Sequence, residues 1–330
     1  MRTLYISEQG CSVSLDGETI IIKKKDCILA TAQVPLLEQI LVFGNSQITT
    51  QAIKACLKQN IPIAYLSQSG YCYGKTYSTA RDSRHLHRLQ QQLAPADALI
   101  ASQHIIKAKL LNSRTILQRQ HRRLNREEIK IGISKIGDLI NKLPEANSIE
   151  KLLGFEGIGA RYYFSALGKC ITNPDFTFTT RSRRPPADPV NAMLSFGYQV
   201  LWNHLLSIIE LQGLDPYYGC LHQPSDKHPA LTSDLIEEFR APIVDALVLK
   251  MINQNAINAE SDFIWRDGGC YLNSSGTKKY IKAFLARIET AIDSEDGSKQ
   301  PKWDAIIQQV RAYKQFIYHP LANYQPYQIR

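Results

Sequence analysis

Pro95-Ala96-Asp97-Ala98-Leu99-Ile100-Ala101-Ser102 opens a pattern of helical period that continues to residue 126 and divides the chain in two. Proline suits the first turn of a helix, where its missing N–H costs nothing. Upstream the period is that of strands. Leu4-Tyr5-Ile6, Cys11-Ser12-Val13-Ser14-Leu15, Thr19-Ile20-Ile21-Ile22 and Gln39-Ile40-Leu41-Val42-Phe43 are punctuated by Gly10, Asp16-Gly17, Lys24-Lys25-Asp26 and Gly44-Asn45. Thr49 or Thr50 is placed to cap a helix over 51–59, and Ile61 to Leu66 resumes as a strand. Downstream, helical patterns cover 96–126, 127–142, 148–153, 157–168, 188–212, 233–254 and 276–292.

The expected fold is therefore α+β and multidomain, a small N-terminal β-sheet domain followed by a larger all-α helical bundle. The boundaries read as a β-rich domain over 1–80, a linker over 81–90, a helical domain over 91–292 and a loosely held tail over 293–330. At 330 residues the chain has length enough for two cores. No apolar run is long enough to span a membrane, and the opening MRTLYISEQG lacks the basic-then-apolar layout of a leader. The seven cysteines stand singly, without a CxxC pair, which points to reduced thiols and a cytoplasmic setting.

A net charge of +9 points weakly to a polyanionic partner, but its distribution is uneven. Residues 81–150 hold 13 basic against 7 acidic side chains, whereas residues 151–330 hold 19 against 18. Arg119, Arg122, Arg123 and Arg126 follow helical spacing and are read as one cationic face. Arg181, Arg183 and Arg184 lie in a loop rich in Thr, Arg and Pro. Arginine's planar fork suits phosphate oxygens, and nothing in the pattern suggests reading of base edges.

Three places supply ligands for a metal. Glu156 lies in Gly154-Phe155-Glu156-Gly157, read as a loop just before a helix. His222 closes Tyr217-Tyr218-Gly219-Cys220-Leu221-His222. Asp234, Glu237 and Glu238 share one helical segment, and spacing alone does not choose between Glu237 and Glu238. Each place has a plainer reading as a solvated or capping residue. Together, one imidazole and two carboxylates suit Mg²⁺ or Mn²⁺ better than zinc, whose structural sites use paired Cys/His spacings. His228 is a second imidazole in the same loop, and His204, in an apolar run, reads as a core histidine. Neither a phosphate-binding Gly loop nor a GxSxG elbow is present.

These segments, in order, resemble the CRISPR-associated spacer-acquisition integrase/endonuclease family. The resemblance runs from Ile40-Leu41-Val42-Phe43-Gly44-Asn45 through Ala108-Lys109-Leu110-Leu111-Asn112, Glu156-Gly157-Ile158-Gly159-Ala160-Arg161 and Arg184-Pro185-Pro186-Ala187-Asp188-Pro189 to Gly219-Cys220-Leu221-His222 and Asp234 to Arg240. It implies that Glu156, His222 and Glu237 are catalytic metal ligands, with Asp234 beside them. It implies Mg²⁺ or Mn²⁺ as cofactor, and spacer and repeat DNA as substrates. It also implies a homodimer joined through the β-domain, and a small ferredoxin-like adaptation protein as partner. Asp226-Lys227-His228-Pro229 departs from the family's usual loop after the histidine. The implied reaction is attack of a DNA 3′-hydroxyl on a phosphodiester. The competing readings are a non-catalytic nucleic-acid scaffold and a tyrosine recombinase, while Tyr162, Tyr163, Tyr217 and Tyr218 are read as packing or DNA-positioning residues.

Overall fold

The computed structural model describes residues 2–6, 8–67, 71–78, 83–223, 228–293 and 299–329. The chain divides into two compact units, Met1–His85 and Leu86–Arg330.

Among the described residues, the first unit holds two four-stranded sheets and the helix Thr50–Lys58. Strands β1 (Arg2–Ile6), β2 (Ser12–Asp16), β3 (Thr19–Lys24), β4 (Cys27–Gln33), β5 (Leu37–Phe43) and β6 (Gln47–Ile48) precede α1 (Thr50–Lys58), and β7 (Ile63–Leu66) and β8 (Cys72–Thr76) follow it. One sheet has the order β1-β5-β7-β8, parallel except for the last pair, and the other has the order β4-β3-β2-β6. Alternate residues of these strands, Val13, Ile20, Ile22, Ile40, Val42 and Ile63, meet Ala52 and Cys56 of α1 in one core. Thr49 caps α1 by accepting from the Ala52 amide. β4 offers no apolar alternation, because nearly all of it is exposed.

The second unit is helical around α3 (Pro95–Leu124), thirty residues long, which packs on α4 (Glu127–Lys142) and α5 (Ile149–Gly168). Asn125, in the left-handed region at φ 48°, ends α3. Ser148 caps α5, which runs unbroken through Glu156. The loop expected before residue 157 is therefore a helix interior, since Gly154 and Gly157 cost it stability without breaking it. Asp188 and Pro189 start α6 (Pro189–Leu211) as cap and first-turn proline.

The helix expected over 233–254 is broken into four pieces. α7 (Ala230–Leu235) passes into a 3₁₀ turn (Ile236–Glu238), a π turn (Arg240–Asp245) and α8 (Ala246–Asn253). Pro242 explains the break, since it has no N–H to give the carbonyl four residues back, that of Glu238. A hairpin of β9 (Phe263–Arg266) and β10 (Gly269–Leu272) interrupts the helices, and α9 (Ser274–Glu289) follows. β11 (Ala291–Asp293) pairs with β12 (Lys299–Pro301), and α10 (Lys302–Tyr318) comes after them.

Two further expectations differ from the structure. The described part of the tail over 293–330 is not loose, since α10 buries Trp303, Ile306, Val310, Tyr313 and Phe316, a stripe at helical spacing. The linker over 81–90 is largely α2 (Arg84–Gln91), whose Gln90 holds the Asp215 backbone. Positions 81 and 82 lie outside the described residues.

Candidate active site

Glu156 and Glu237 come from different elements and meet on one cation. Lys109, buried on α3, places its ammonium in an ion pair with Oε1 of Glu156 and 2.6 Å from Oε2 of Glu237. Gly159, one turn beyond Glu156, makes this possible, since a Cβ there would overlap the Leu110 side chain where α5 crosses α3. Arg240 takes the other oxygen of Glu237, Oε1, at 2.8 Å. The Oε2 atom is buried, and the ammonium approaches it off the hydrogen-bonding angle. Burial alone would raise the Glu237 carboxyl. Arg240, Lys109 and His222 more than offset it and bring the pKa down to about 2. The carboxylate is thus charged at any working pH.

Asp234 organises the other side. It is fully buried, and its Oδ2 accepts from the amides of Cys220 and Leu221 at 2.6 and 2.9 Å. Its Oδ1 accepts from the His222 amide at 2.9 Å and pairs with Nδ1 of the same histidine at 2.7 Å. Gly219 leaves room for this cradle, because a Cβ there would strike Oδ2. The hydrogen bond that His222 gives to Asp234 raises the His222 pKa against the opposing effect of burial, and Glu237 adds to the rise. With Nδ1 taken, Nε2 is the nitrogen left for a ligand, the usual arrangement of a metal-binding histidine with its carboxylate.

Glu238 faces away from this cluster. Its carboxyl, pushed up to about 8 by burial, accepts from the Tyr324 hydroxyl and the Tyr327 amide. The 3₁₀ turn therefore separates two carboxylates that spacing could not distinguish.

Among the described residues, no three His, Cys, Asp or Glu side chains are gathered closely enough to hold a metal ion as they stand. The donor set nevertheless fits a hard divalent cation: two carboxylates already converging on one positive charge, a buried carboxylate oxygen and an imidazole oriented by an aspartate. Cys220 does not extend it to zinc, since burial pushes its thiol up to about 12 and its Sγ contacts the Tyr313 hydroxyl.

Sequence reasoning missed Lys109, Arg240 and the buried group behind them. Asp245 accepts from the hydroxyls of Tyr163 and Tyr198 at 2.8 and 2.5 Å, and the Arg240 guanidinium lies 5.0 Å from the Tyr198 ring centre. A lysine within the apolar run around Ala108 and Leu110 was the available signal for the first.

The arginines expected on DNA are dispersed. Arg119, Arg122 and Arg123 are exposed near the end of α3. Arg126 lies past that helix, beyond Asn125, and donates to the Lys169 carbonyl at 2.7 Å, so the four do not form one helical face. Arg181 turns inward to Asn191 and Ser195, whereas Arg183 and Arg184 are exposed. His204 is buried against Phe284, and His228 pairs with Ser233. Asp226 and Lys227, in the departing loop, lie outside the described residues.

The family profile described as CRISPR associated protein Cas1 matches residues 4–286. The chain belongs to this family. A Cas4/Cas1 fusion, described as CRISPR-associated exonuclease/endonuclease, from Geobacter sulfurreducens is 36% identical over 88% of the chain. The chain spans 53% of that relative's length. A CRISPR-associated endonuclease Cas1 of Thermus thermophilus is 30% identical over 94% of the chain and 95% of its own length. In fold, the chain is similar to a subunit of a partial Cas6-RT-Cas1–Cas2 complex, with a TM-score of 0.80 at 24% identity over 100% of this chain and 99% of that one. The α+β arrangement of a β-rich unit before a mostly helical one is the family's. No helix among the described residues is long and apolar enough to cross a membrane.

Proposed function

We propose that the chain is a DNA endonuclease and integrase of CRISPR spacer acquisition, in which the 3′-hydroxyl of a short DNA fragment attacks a phosphodiester of the repeat array and forms a new ester bond as the array strand's own 3′-oxygen leaves as a hydroxyl. The observation that carries the site assignment is the meeting of Glu156 and Glu237, from separate elements, on one buried cationic position. Glu156, Glu237 and Nε2 of His222 would hold Mg²⁺ or Mn²⁺, with Asp234 fixing the imidazole. When bound, the ion supplies Lewis-acid stabilisation of the charge growing on the phosphate. Arg240 keeps Glu237 ionised and turned inward, and the exposed arginines at 119, 122, 123, 183 and 184 hold the DNA backbone. No tyrosine is needed as nucleophile, and Tyr163 is occupied with Asp245.

A homodimer joined through the β-rich unit, working with a small ferredoxin-like adaptation protein, is the assembly this reading carries. The Cas1–Cas2 composition of the structural neighbour supports such a partner.

The test is strand transfer of a labelled fragment into a repeat-bearing plasmid in Mn²⁺, in Mg²⁺ and in EDTA. Alanine at Glu156, His222 or Glu237 should abolish it while DNA binding persists. One observation favours the scaffold reading: Lys109 and Arg240 together already balance the charge of Glu156 and Glu237. If wild type binds DNA but never joins or cuts it with either metal, that reading replaces ours. A covalent protein–DNA adduct on a denaturing gel would indicate a tyrosine recombinase instead.

A further inference from the structure

The segment after α10, beyond residues 4–286 that the family profile matches, returns to the back of the site. Tyr324 is buried; its hydroxyl donates to Oε1 of Glu238 at 2.5 Å and accepts from Gln309 at 2.7 Å. Its carbonyl pairs with Nδ1 of His104 on α3 at 2.7 Å. The Tyr327 amide donates to Oε2 of Glu238 at 2.7 Å, and the Tyr327 ring stacks on Phe239 at 5.0 Å between centres. Asn112 joins the pieces. Its side-chain amide donates to the carbonyls of Glu238 and Tyr327 at 2.8 and 2.9 Å, and its oxygen accepts from the Ile329 amide at 2.9 Å.

Two features give this strap a bearing on the site. The Glu238 carbonyl is the one that Pro242 cannot serve, so Asn112 supplies the donor the backbone lacks. Asn112 also lies one turn after Lys109, while Glu238 and Phe239 directly follow Glu237. Each end of the Lys109–Glu237 contact is thus backed by a residue the strap holds. An irregular 3₁₀-to-π segment has few bonds of its own to fix where Glu237 points.

We propose that residues 324–329 form a positioning strap that fixes the carboxylate of Glu237, through Glu238 and Asn112, in the orientation needed to hold a divalent cation. The inference rests on the metal-site reading above, but its structural half does not. Residues that orient a metal's direct ligands usually carry about 10–100-fold in affinity. The strap is held to that scale.

The test uses the full chain with Tyr324→Phe, which deletes one oxygen, and Asn112→Ala. Hydrogen exchange is followed in the peptide spanning 232–243, Mn²⁺ binding by electron paramagnetic resonance titration, and strand transfer against Mn²⁺ concentration. Both variants should exchange faster across 237–240 with unchanged circular dichroism. Mn²⁺ affinity should fall about tenfold, and strand transfer should recover at saturating Mn²⁺. A merely structural role would lower the amount of active protein without moving the half-saturating Mn²⁺ concentration, and that result overturns the proposal. Wild-type exchange and wild-type affinity in folded variants would also overturn it. Should Asn112→Ala not fold, Tyr324→Phe decides alone. If wild type and Glu237→Ala bind Mn²⁺ equally, the metal reading fails, and unchanged exchange in Tyr324→Phe then removes the strap as well.

Discussion

Replacing Lys109 by methionine removes the ammonium on which Glu156 and Glu237 converge while keeping most of the side-chain volume. The structure fixes the scale of the effect. Glu237 is buried and held down to about 2 against an ordinary value of 4.5, a gap of about 3 kcal/mol. Arg240 and Lys109 share that offset, but the ammonium also serves Glu156. Breaking one partner out of a buried ion pair costs about 3–5 kcal/mol, so about 3 kcal/mol is expected. For a unit of this size that lowers the melting temperature by roughly 6–12 °C, at about 2–4 °C per kcal/mol. The sign with pH follows from a depressed carboxyl. Its contribution is present above 4.5, its unfolded value, and is lost as pH falls from there towards 2, so the deficit of Lys109→Met should shrink in acid. Mn²⁺ at a hundredfold excess over its Kd adds about 2.7 kcal/mol to any chain that binds it when folded. In the variant the ion meets uncompensated carboxylates, so its gain should exceed that of wild type. The assay is thermal unfolding of both proteins in EDTA and in Mn²⁺. Equal melting in EDTA, or a smaller Mn²⁺ gain in the variant, would show that the carboxylates do not depend on a shared cation.

Other outcomes follow from the same contacts. Asp234→Ala leaves the amides of residues 220–222 and Nδ1 of His222 without their acceptor; Mn²⁺ affinity should fall about 10–100-fold, read by the same titration. Gly219→Ala should reproduce part of that loss, because the added methyl group strikes Oδ2 of Asp234; affinity equal to wild type would refute the cradle. His204, lowered by burial to about 4, is neutral in the fold and must charge on unfolding, so stability should fall as pH drops from 6.5 towards 4, by at most about 1.4 kcal/mol per pH unit; His204→Phe should flatten denaturant midpoints across that range. Neutralising exposed Arg122 and Arg123 together should reduce the slope of log K against log salt for duplex DNA by roughly 2; an unchanged slope removes them from the DNA surface.

Much of the frame was legible because its signals are local. Thr49 capping α1, the charged stretch that closes as α4 over 127–142, and Asp188 with Pro189 at the head of α6 each act within one turn of chain. What escaped depends on contacts across the fold. The choice between Glu237 and Glu238 is made by Lys109 and by Tyr324, more than eighty residues away in either direction, and no spacing rule reaches that far. Pro242 stands inside the stretch read as one helix over 233–254, and the partner that relieves its missing N–H, Asn112, lies far away in sequence. α10 escaped for a different reason. The acidic stretch before it and the His319-Pro320 pair after it suggested a tail, although its own apolar stripe had helical spacing.

The paired charges at the site carry a consequence for how it meets DNA. Glu156, Glu237 and Asp234 set three negative charges against the two positive ones of Lys109 and Arg240, and the bond from His222 to Asp234 raises the imidazole's pKa, so a proton there brings the cluster into balance. On the proposed reading a divalent ion at Nε2 would take the place of that proton, so the balanced cluster would gain one net positive charge and draw a phosphodiester to it. Metal loading would thereby precede capture of the phosphate: a strand laid along the outer arginines would find no attraction at the site until the ion had arrived.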